Sequence, residues 1–193
     1  MGMIKTLMRR ISLCLIAILF AACATTTTEV YRDPNMDFGG IRSIAVMPFL
    51  SLARDNVAAE RVRDVFINDL LATGATYVIP VGEVARGVAR AEIATPTTPS
   101  PEEVVKLASM IKVQAVITGV LKEYGEARSG ATSANMISVS LQMMEAQTGK
   151  VVWSASSTEG GISIWDRLLG GGGQPMDKIT RKAVDDLINK LFK

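Results

Sequence analysis

Histidine is absent from the 193-residue sequence, and cysteine occurs only at positions 14 and 23. Histidine is the commonest general base at neutral pH, so a Ser-His-Asp catalytic set cannot be assembled, and no serine stands in a G-x-S-x-G motif. The commonest metal ligand is missing as well, and the ten methionines form no MxxM array. We therefore expect a protein that is not an enzyme and that binds no metal or other cofactor.

Long apolar runs are also scarce. The longest covers residues 11–22, is interrupted by Ser12 and has twelve residues, whereas a helix needs about 20 to cross a bilayer. The basic residues Lys5, Arg9 and Arg10 precede it. The segment is too short to span a membrane and is typical of a secretory signal peptide, which we place at residues 1–22.

Cys23 follows this stretch directly, after Ala21 and Ala22, small residues of the kind that a signal peptidase accepts. The combination resembles a bacterial lipobox, although Phe20 stands where leucine is usual. The resemblance implies cleavage before Cys23, diacylglycerol on its sulfur and a further acyl chain on its amine. Ala24 in place of aspartate implies the outer membrane, facing the periplasm. The alternative is an ordinary secretory signal that leaves Cys23 as a free thiol.

Without the leader, 171 residues remain, which is enough for one domain with a hydrophobic core. The leader contains three basic residues, so the mature chain has 18 basic against 19 acidic side chains. This balance does not favour a nucleic-acid-binding face. With Cys14 removed and Cys23 acylated, no disulfide can form, and packing alone must stabilise the fold.

The mature chain is predicted to have two parts. Residues 23–40 comprise the lipidated cysteine and a polar segment without a sustained period, which we interpret as a tether over residues 24–40. Within it, only Tyr31 and Phe38 indicate any order. Residues 41–193 form the folded domain.

The domain is predicted to have an α/β (α+β) fold, a single mixed β-sheet with helices packed on it, in the order β-α-β-α-α-β-β-β-α. The predicted strands are IRSIAVMPFL (41–50), ATYVIP (75–80), VQAVITGVLKEYGEA (113–127), ANMISVSLQMMEA (134–146) and VVWSASSTEG (151–160). The predicted helices follow Asp55 or Asn56, cover 81–93, follow a capping box at Ser100 and Glu103, and cover 175–193.

Alternation is clearest in the fourth of these strands, where apolar residues face one way: Ile137, Val139, Leu141 and Met143. A short turn with Gly149 connects this strand to the fifth, which predicts an antiparallel hairpin.

Two acidic pairs, Glu102-Glu103 and Asp185-Asp186, have the composition of a catalytic dyad. The first pair begins a helix, where the helix dipole favours negative charge, and the second lies on the polar side of the last helix. We interpret both as solvated surface. The glycines at 170–173 lack the Lys-Ser/Thr of a phosphate-binding loop, and we interpret them as a link.

The polar face of the predicted hairpin is one candidate for binding. Ser138, Ser140 and Gln142 lie on it opposite Ser154 and Ser156. The favoured interpretation is a sheet face open to water, and binding is the alternative.

The segment ISIWDRLL (162–169) is the second candidate. Its apolar residues lie between glycines: Ile164, Trp165, Leu168 and Leu169. A loop there could present Trp165 to a partner protein, because aromatic anchors dominate many interfaces. Alternatively, Trp165 folds back over the core. The sequence leaves both interpretations open.

Four motifs follow one another within 41–159: IAVMPF, LLATGATYVIP, VQAVITGVLKEYGE and ISVSLQMMEAQTGKVVWSAS. Their order resembles the periplasmic domain of the CsgG family of outer-membrane lipoproteins. It is also similar to LpoB-type activators of peptidoglycan synthases and to the amino-terminal domain of TolB. The resemblance implies the fold, a lipid anchor and a tendency to self-associate. It does not determine the function, because these relatives do different things.

CsgG itself is a secretion channel, a ring in which each subunit contributes two long membrane hairpins, whose strands need about 9–11 residues each. Here the first candidate insertion, ARSGATSAN (127–135), has nine residues, and the second, around 161–175, is neither long enough nor alternating. We therefore do not transfer the pore to this chain.

We expect a lipid-anchored outer-membrane protein on the periplasmic face, acting as a non-catalytic scaffold or accessory protein in envelope assembly or export. Its expected partners are the membrane through the acyl chains on Cys23, other envelope proteins and other copies of itself. No nucleic-acid or small-molecule partner is indicated. One alternative is an activator of a peptidoglycan synthase that reaches inward on the 24–40 tether. Another is a subunit of an oligomeric secretion channel.

Overall fold

A computed structural model describes residues 30–129, 132–162 and 173–192. The strands are β1 (Val30–Arg32), β2 (Ser43–Val46), β3 (Leu50–Ser51), β4 (Tyr77–Val78), β5 (Ala115–Ser129), β6 (Thr132–Glu145) and β7 (Val151–Gly160). The helices are α1 (Ala58–Ala72), α2 (Val81–Ala91), α3 (Pro101–Ile111) and α4 (Met176–Phe192). These elements form one mixed sheet with helices packed on it, so the predicted fold class is confirmed.

The sheet has the strand order β1-β7-β6-β5-β2-β4, and β3 extends the line of β2 beside β5. The pairs of β2 with β4 and with β5 are parallel, whereas β5, β6, β7 and β1 pair antiparallel. Parallel neighbours need crossover connections, which α1, α2 and α3 provide. The antiparallel half needs only tight turns.

Helices α1 and α4 cover one face of the sheet over its whole width. Their apolar residues recur at helical spacing, which places Phe66 and Leu70 of α1 and Val184 and Leu187 of α4 in the core. The apolar side of β6 faces the same core, as its alternation predicts. Trp153 of β7 is fully buried there. This is the larger of the two hydrophobic clusters in the described residues.

Helices α2 and α3 cover only part of the opposite face. They pack on β2 and on the start of β5. The two helices approach closely at Gly87, where an added Cβ would lie 2.6 Å from Ile111 and 2.8 Å from Leu107. The capping box predicted for α3 is present: Ser100 Oγ accepts from Glu103 N at 3.2 Å, and Glu103 Oε2 accepts from Ser100 N at 2.7 Å.

Strand β1 lies within the segment that we interpreted as a tether. It pairs with β7, with Val30 opposite Ala155, and a 3₁₀ turn follows at Phe38–Gly40. The guanidinium of Arg32 donates to the carbonyl of Leu191 at the end of α4 and lies 4.4 Å from the ring centroid of Phe38. The interpretation of residues 30–40 as a tether is therefore wrong, because long-range pairing orders them.

The β5–β6 hairpin is longer than predicted. Pairing continues without interruption from Glu123–Ser138 to Ser129–Thr132, so residues 127–129 and 132–135 belong to two long strands and not to a separate insertion. A bulge at Lys122 interrupts the register between Leu121 and Glu123.

The start of α1 also differs in detail from the prediction. Neither Asp55 nor Asn56 is the N-cap residue, which is Val57. Asp55 Oδ1 instead accepts a hydrogen bond at 3.0 Å from the backbone N–H of Val57, the residue directly before the helix. Within the described ranges, no helix is long and apolar enough to cross a membrane.

Candidate interaction surface

The polar face of the hairpin is the part of the sheet that α2 and α3 leave uncovered. We call it the open face and define it by eight residues of β1, β5, β6 and β7: Tyr31, Thr118, Val120, Lys122, Ser140, Gln142, Ser154 and Ser156. The period of two in these strands places their apolar neighbours in the core and these side chains on the opposite side.

Register aligns the open face in two rows across the strands. Thr118 lies opposite Gln142, Gln142 opposite Ser154, and Ser154 opposite Tyr31. The second row joins Val120, Ser140 and Ser156. Directly opposed side chains lie about 4.5–5.5 Å apart at Cβ, so each row presents neighbouring polar groups to one ligand surface.

The open face is a shallow trough because most of its side chains are short. A depression of about 710 Å³ lies over Ser140, Gln142, Ser154 and Ser156. Tyr31, which is 51% exposed, and Lys122 border it. A smaller depression of about 260 Å³ continues the trough from Gln142 toward the loop 97–99.

A second recess lies between the β3–α1 loop and the outer half of the hairpin. It has a volume of about 950 Å³ and is bordered by Leu52, Arg54 and Asp55 on one side and by 122–128 on the other. Leu52 is 64% exposed at the edge of this recess.

The charged side chains near the end of β5 are paired. Arg128 donates from Nη2 to Glu126 Oε2 at 2.9 Å. The hydrogen bond from the Ser133 side chain and then the contact with Arg128 lower the pKa of Glu126 below 4.5. The carboxylate is therefore ionised at neutral pH, and the pair is electrically neutral as a unit.

The open face presents side chains that can form hydrogen bonds with a partner. Hydroxyls, one carboxamide and one ammonium can donate and accept hydrogen bonds along an extended partner. In the described ranges, no three histidine, cysteine, aspartate or glutamate side chains come together as a metal site would require. The absence of catalysis and of a cofactor remains a prediction.

Both acidic pairs lie where surface residues are expected. Glu102 and Glu103 are in the first turn of α3, where Ser100 donates to Glu102 Oε2 at 2.8 Å. Its own backbone N–H and then Ser100 lower the pKa of Glu102. In the second pair, Asp186 accepts from Lys190 one turn further along α4.

Several predicted site residues lie outside the described residues. These are the cleavage-site residues Ala21 and Ala22, the lipidation site Cys23, and the loop residues Ile164, Trp165, Leu168 and Leu169. The structure therefore neither brings them together nor separates them.

Tyr31 is the residue of the open face that the sequence analysis missed. It joins the face only because β1 pairs with β7, where Val30 lies opposite Ala155, 125 positions away along the chain. The local signal was weak: an isolated Val-Tyr-Arg triplet before Asp33 and Pro34.

No protein-family model matches the chain, and no curated protein sequence matches it significantly.

Solved structures share its fold at low sequence identity. PelC from Paraburkholderia phytofirmans, solved as a dodecamer, has a TM-score of 0.58 at 18% identity, over 86% of this chain and 96% of its own. Lipoprotein GNA1162 from Neisseria meningitidis has a TM-score of 0.52 at 22% identity, over 77% and 99%. The LpoB C-terminal domain from Escherichia coli has a TM-score of 0.48 at 12% identity, over 64% and 98%.

At these identities, the likeness to PelC and GNA1162 shows the fold alone. The predicted resemblance is confirmed as far as a lipoprotein-like fold, and the resemblance to CsgG stays a prediction.

Proposed function

We propose that this protein is a lipid-anchored accessory or scaffold protein on the periplasmic face of the bacterial outer membrane, where it binds other envelope proteins and assembles with copies of itself. The observation that supports this most is the fold shared with the lipoprotein GNA1162 and with PelC, which was solved as a dodecamer. The leader and cysteine at residues 1–23 independently support the anchor.

The acyl chains on Cys23 would do all the anchoring. One chain holds a protein only marginally, and two or more hold it firmly, at about 0.8 kcal/mol per buried methylene. A polypeptide span is then unnecessary.

The length of the segment after Cys23 favours a scaffold over an activator that reaches inward. The described sheet pairing includes Val30, so at most six residues, 24–29, separate the cysteine from the fold. The seven Cα–Cα steps from Cys23 to Val30 span at most about 25 Å when fully extended. A domain held so close to its anchor is suited to partners at the membrane surface.

The edge of the sheet at β4 offers a surface for self-association. This strand has only two residues, and Tyr77 on it is 58% exposed. Leu71 before it and Val81 after it are exposed as well. Large exposed apolar side chains beside an open strand edge are typical of surfaces that bind another protein.

Substitution Cys23→Ser tests the anchor. We expect unprocessed precursor or soluble protein in place of the membrane fraction, and loss of palmitate labelling. Cys14→Ser is the matched control, because its cysteine lies in the leader, and labelling should persist. Palmitate labelling that survives Cys23→Ser would contradict the lipoprotein proposal.

Crosslinking in intact cells, followed by purification of the native protein, would identify the envelope partner. Stimulation of a purified peptidoglycan synthase would select the activator, and conductance in planar bilayers would select the secretion channel. A reproducible hydrolytic activity would contradict the non-catalytic role.

A further inference from the structure

Strand β1 begins at the end of the sheet from which the outer part of the β5–β6 hairpin projects. Strand β1 is antiparallel to β7, and β7 is antiparallel to β6, so β1 and β6 run in the same direction. Both strands therefore begin at the same end. The chain enters β1 at Val30 from the side on which β5 passes into β6.

The hairpin extends at least as far in this direction as the anchoring segment can. Val30 lies level with Ala155 of β7 and Leu141 of β6. Strand β6 begins nine residues earlier, at Thr132, which is about 30 Å at ~3.3 Å per residue. The seven Cα–Cα steps from Val30 back to Cys23 span at most about 25 Å. If the strands were perpendicular to the membrane, the hairpin would therefore reach the bilayer before the segment between Cys23 and Val30 was fully extended.

The described part of the hairpin end has side chains suited to a lipid headgroup layer. We define the hairpin end as residues 126–128 and 133–135, which are small or polar except for one ion pair. The Arg128 side chain is 77% exposed, and two of its five N–H groups point at Glu126. Guanidinium groups bind phosphate through paired hydrogen bonds.

We propose that the hairpin end rests against the phospholipid headgroups of the membrane that holds the anchor, with Arg128 directed at their phosphates. This inference rests on the proposed acylation of Cys23, and its partner is a lipid surface. The absence of large apolar side chains among 126–128 and 133–135 limits the contact to the headgroup layer, which lies outside the hydrocarbon. The contact would orient the sheet so that the starts of β1 and β6 and the end of β7 face the bilayer. The β6–β7 turn would then face away from it.

Two single-cysteine variants of the acylated full-length protein test the proposal. With Cys14 removed in the leader and Cys23 acylated, an introduced cysteine is the only free thiol. Ala127→Cys places an environment-sensitive NBD dye at the hairpin end and leaves Arg128 in place. Gln147→Cys is the matched control, because it also replaces a neutral residue but lies in the β6–β7 turn, at the opposite end of β6.

Both proteins are reconstituted in phosphatidylethanolamine and phosphatidylglycerol vesicles that carry headgroup nitroxides. We expect strong quenching and a blue-shifted emission of the dye at position 127, and little change at position 147. Equal quenching at the two positions, or stronger quenching at 147, would overturn the proposal.

Mass spectrometry of the same samples separates this failure from failure of the anchor. Equal quenching in protein that carries the added mass of the acyl chains would contradict the hairpin contact but not the lipid anchor. A mass of the mature protein without acyl chains would contradict the lipid anchor. The hairpin contact would then lose its premise.

Discussion

Ser100 shows how a single side chain acts on both the start of a helix and the charge of a neighbour. Its Oγ accepts from Glu103 N and also donates to the carboxylate of Glu102. The first contact satisfies a backbone donor that the helix cannot satisfy itself. The second favours the ionised form of Glu102, whose pKa lies below 4.5.

We expect Ser100→Ala to reduce the free energy of unfolding by about 1 kcal/mol, the usual effect of losing a serine N-cap. The pKa of Glu102 should rise toward 4.5, because one of the hydrogen bonds that lower it is removed. Urea unfolding and carboxyl NMR titration measure the two effects.

The sign of the pH dependence follows from the lowered pKa. The contribution of Glu102 to stability is complete above its unfolded pKa and is lost as the pH falls through the folded value. Ser109→Ala, at an exposed serine in the same helix, is the control: it should leave the Glu102 titration unchanged and alter the free energy of unfolding by no more than about 0.5 kcal/mol. An unaltered Glu102 titration in Ser100→Ala would contradict the assignment.

Gly87 and Gly82 lie in the same helix but in opposite surroundings. At Gly87 an added methyl group would meet Ile111 at 2.6 Å, whereas at Gly82 the nearest atom, from Arg86, is 3.7 Å away. Overpacking costs about 1–3 kcal/mol, and the better helix propensity of alanine offsets about 1 kcal/mol of this.

We therefore expect Gly87→Ala to lower the free energy of unfolding by up to about 2 kcal/mol. Gly82→Ala should be neutral or stabilising by up to about 1 kcal/mol. Chemical denaturation followed by circular dichroism gives both values. Equal effects at the two sites would show that α2 and α3 separate easily.

Among the elements, β1 is the one whose role is least evident from its length. It has three residues, yet it closes one edge of the sheet and holds the end of α4 through Arg32. The carbonyls at the C-terminal end of a helix lack partners within the helix, and a guanidinium satisfies them well. Strand β1 and helix α4 therefore stabilise each other although they are far apart in the sequence.

Arg32→Ala should lower the free energy of unfolding by about 1.5–3 kcal/mol, the usual range for hydrogen bonds to a charged group. Amide exchange in the last turn of α4 should also accelerate. Arg42→Ala, at an exposed arginine before β2, should change stability by less than about 0.5 kcal/mol. If residues 30–40 were a tether, the two variants would behave alike.

Elements with local determinants could be predicted from the sequence. The Ser100 capping box, the alternation at 137–143 and the turn at Gly149 each depend on residues a few positions apart. Strand β1 depends on Ala155 and Leu191, which are more than 120 positions away, and no local pattern records such contacts. For the same reason the open face could be predicted on β6 and β7, but Tyr31 could not.

For the whole molecule, the charge-poor β4 edge is the surface where assembly can be tested. We expect native mass spectrometry of the wild-type protein in mild detergent to show a multiple of the protomer mass. Tyr77→Lys should shift the distribution toward monomer, because a lysine on an edge strand opposes pairing with another chain.

Met110→Lys on the outer side of α3 is the matched control, since Met110 is also exposed and apolar, and it should leave the assembly unchanged. A clean wild-type monomer would count against any ring. Equal dissociation by both variants would move the interface away from β4.

The pairing of β1 with β7 also determines when the domain can finish folding. A chain that leaves the ribosome or a translocation pore with its N-terminus first exposes Val30 long before Ala155 and Leu191. Closing so long a loop is slow, because its entropy must be lost before the contact forms. The first strand to emerge is thus among the last to dock, and the nascent chain stays open to processing enzymes near its start until almost all of it has emerged.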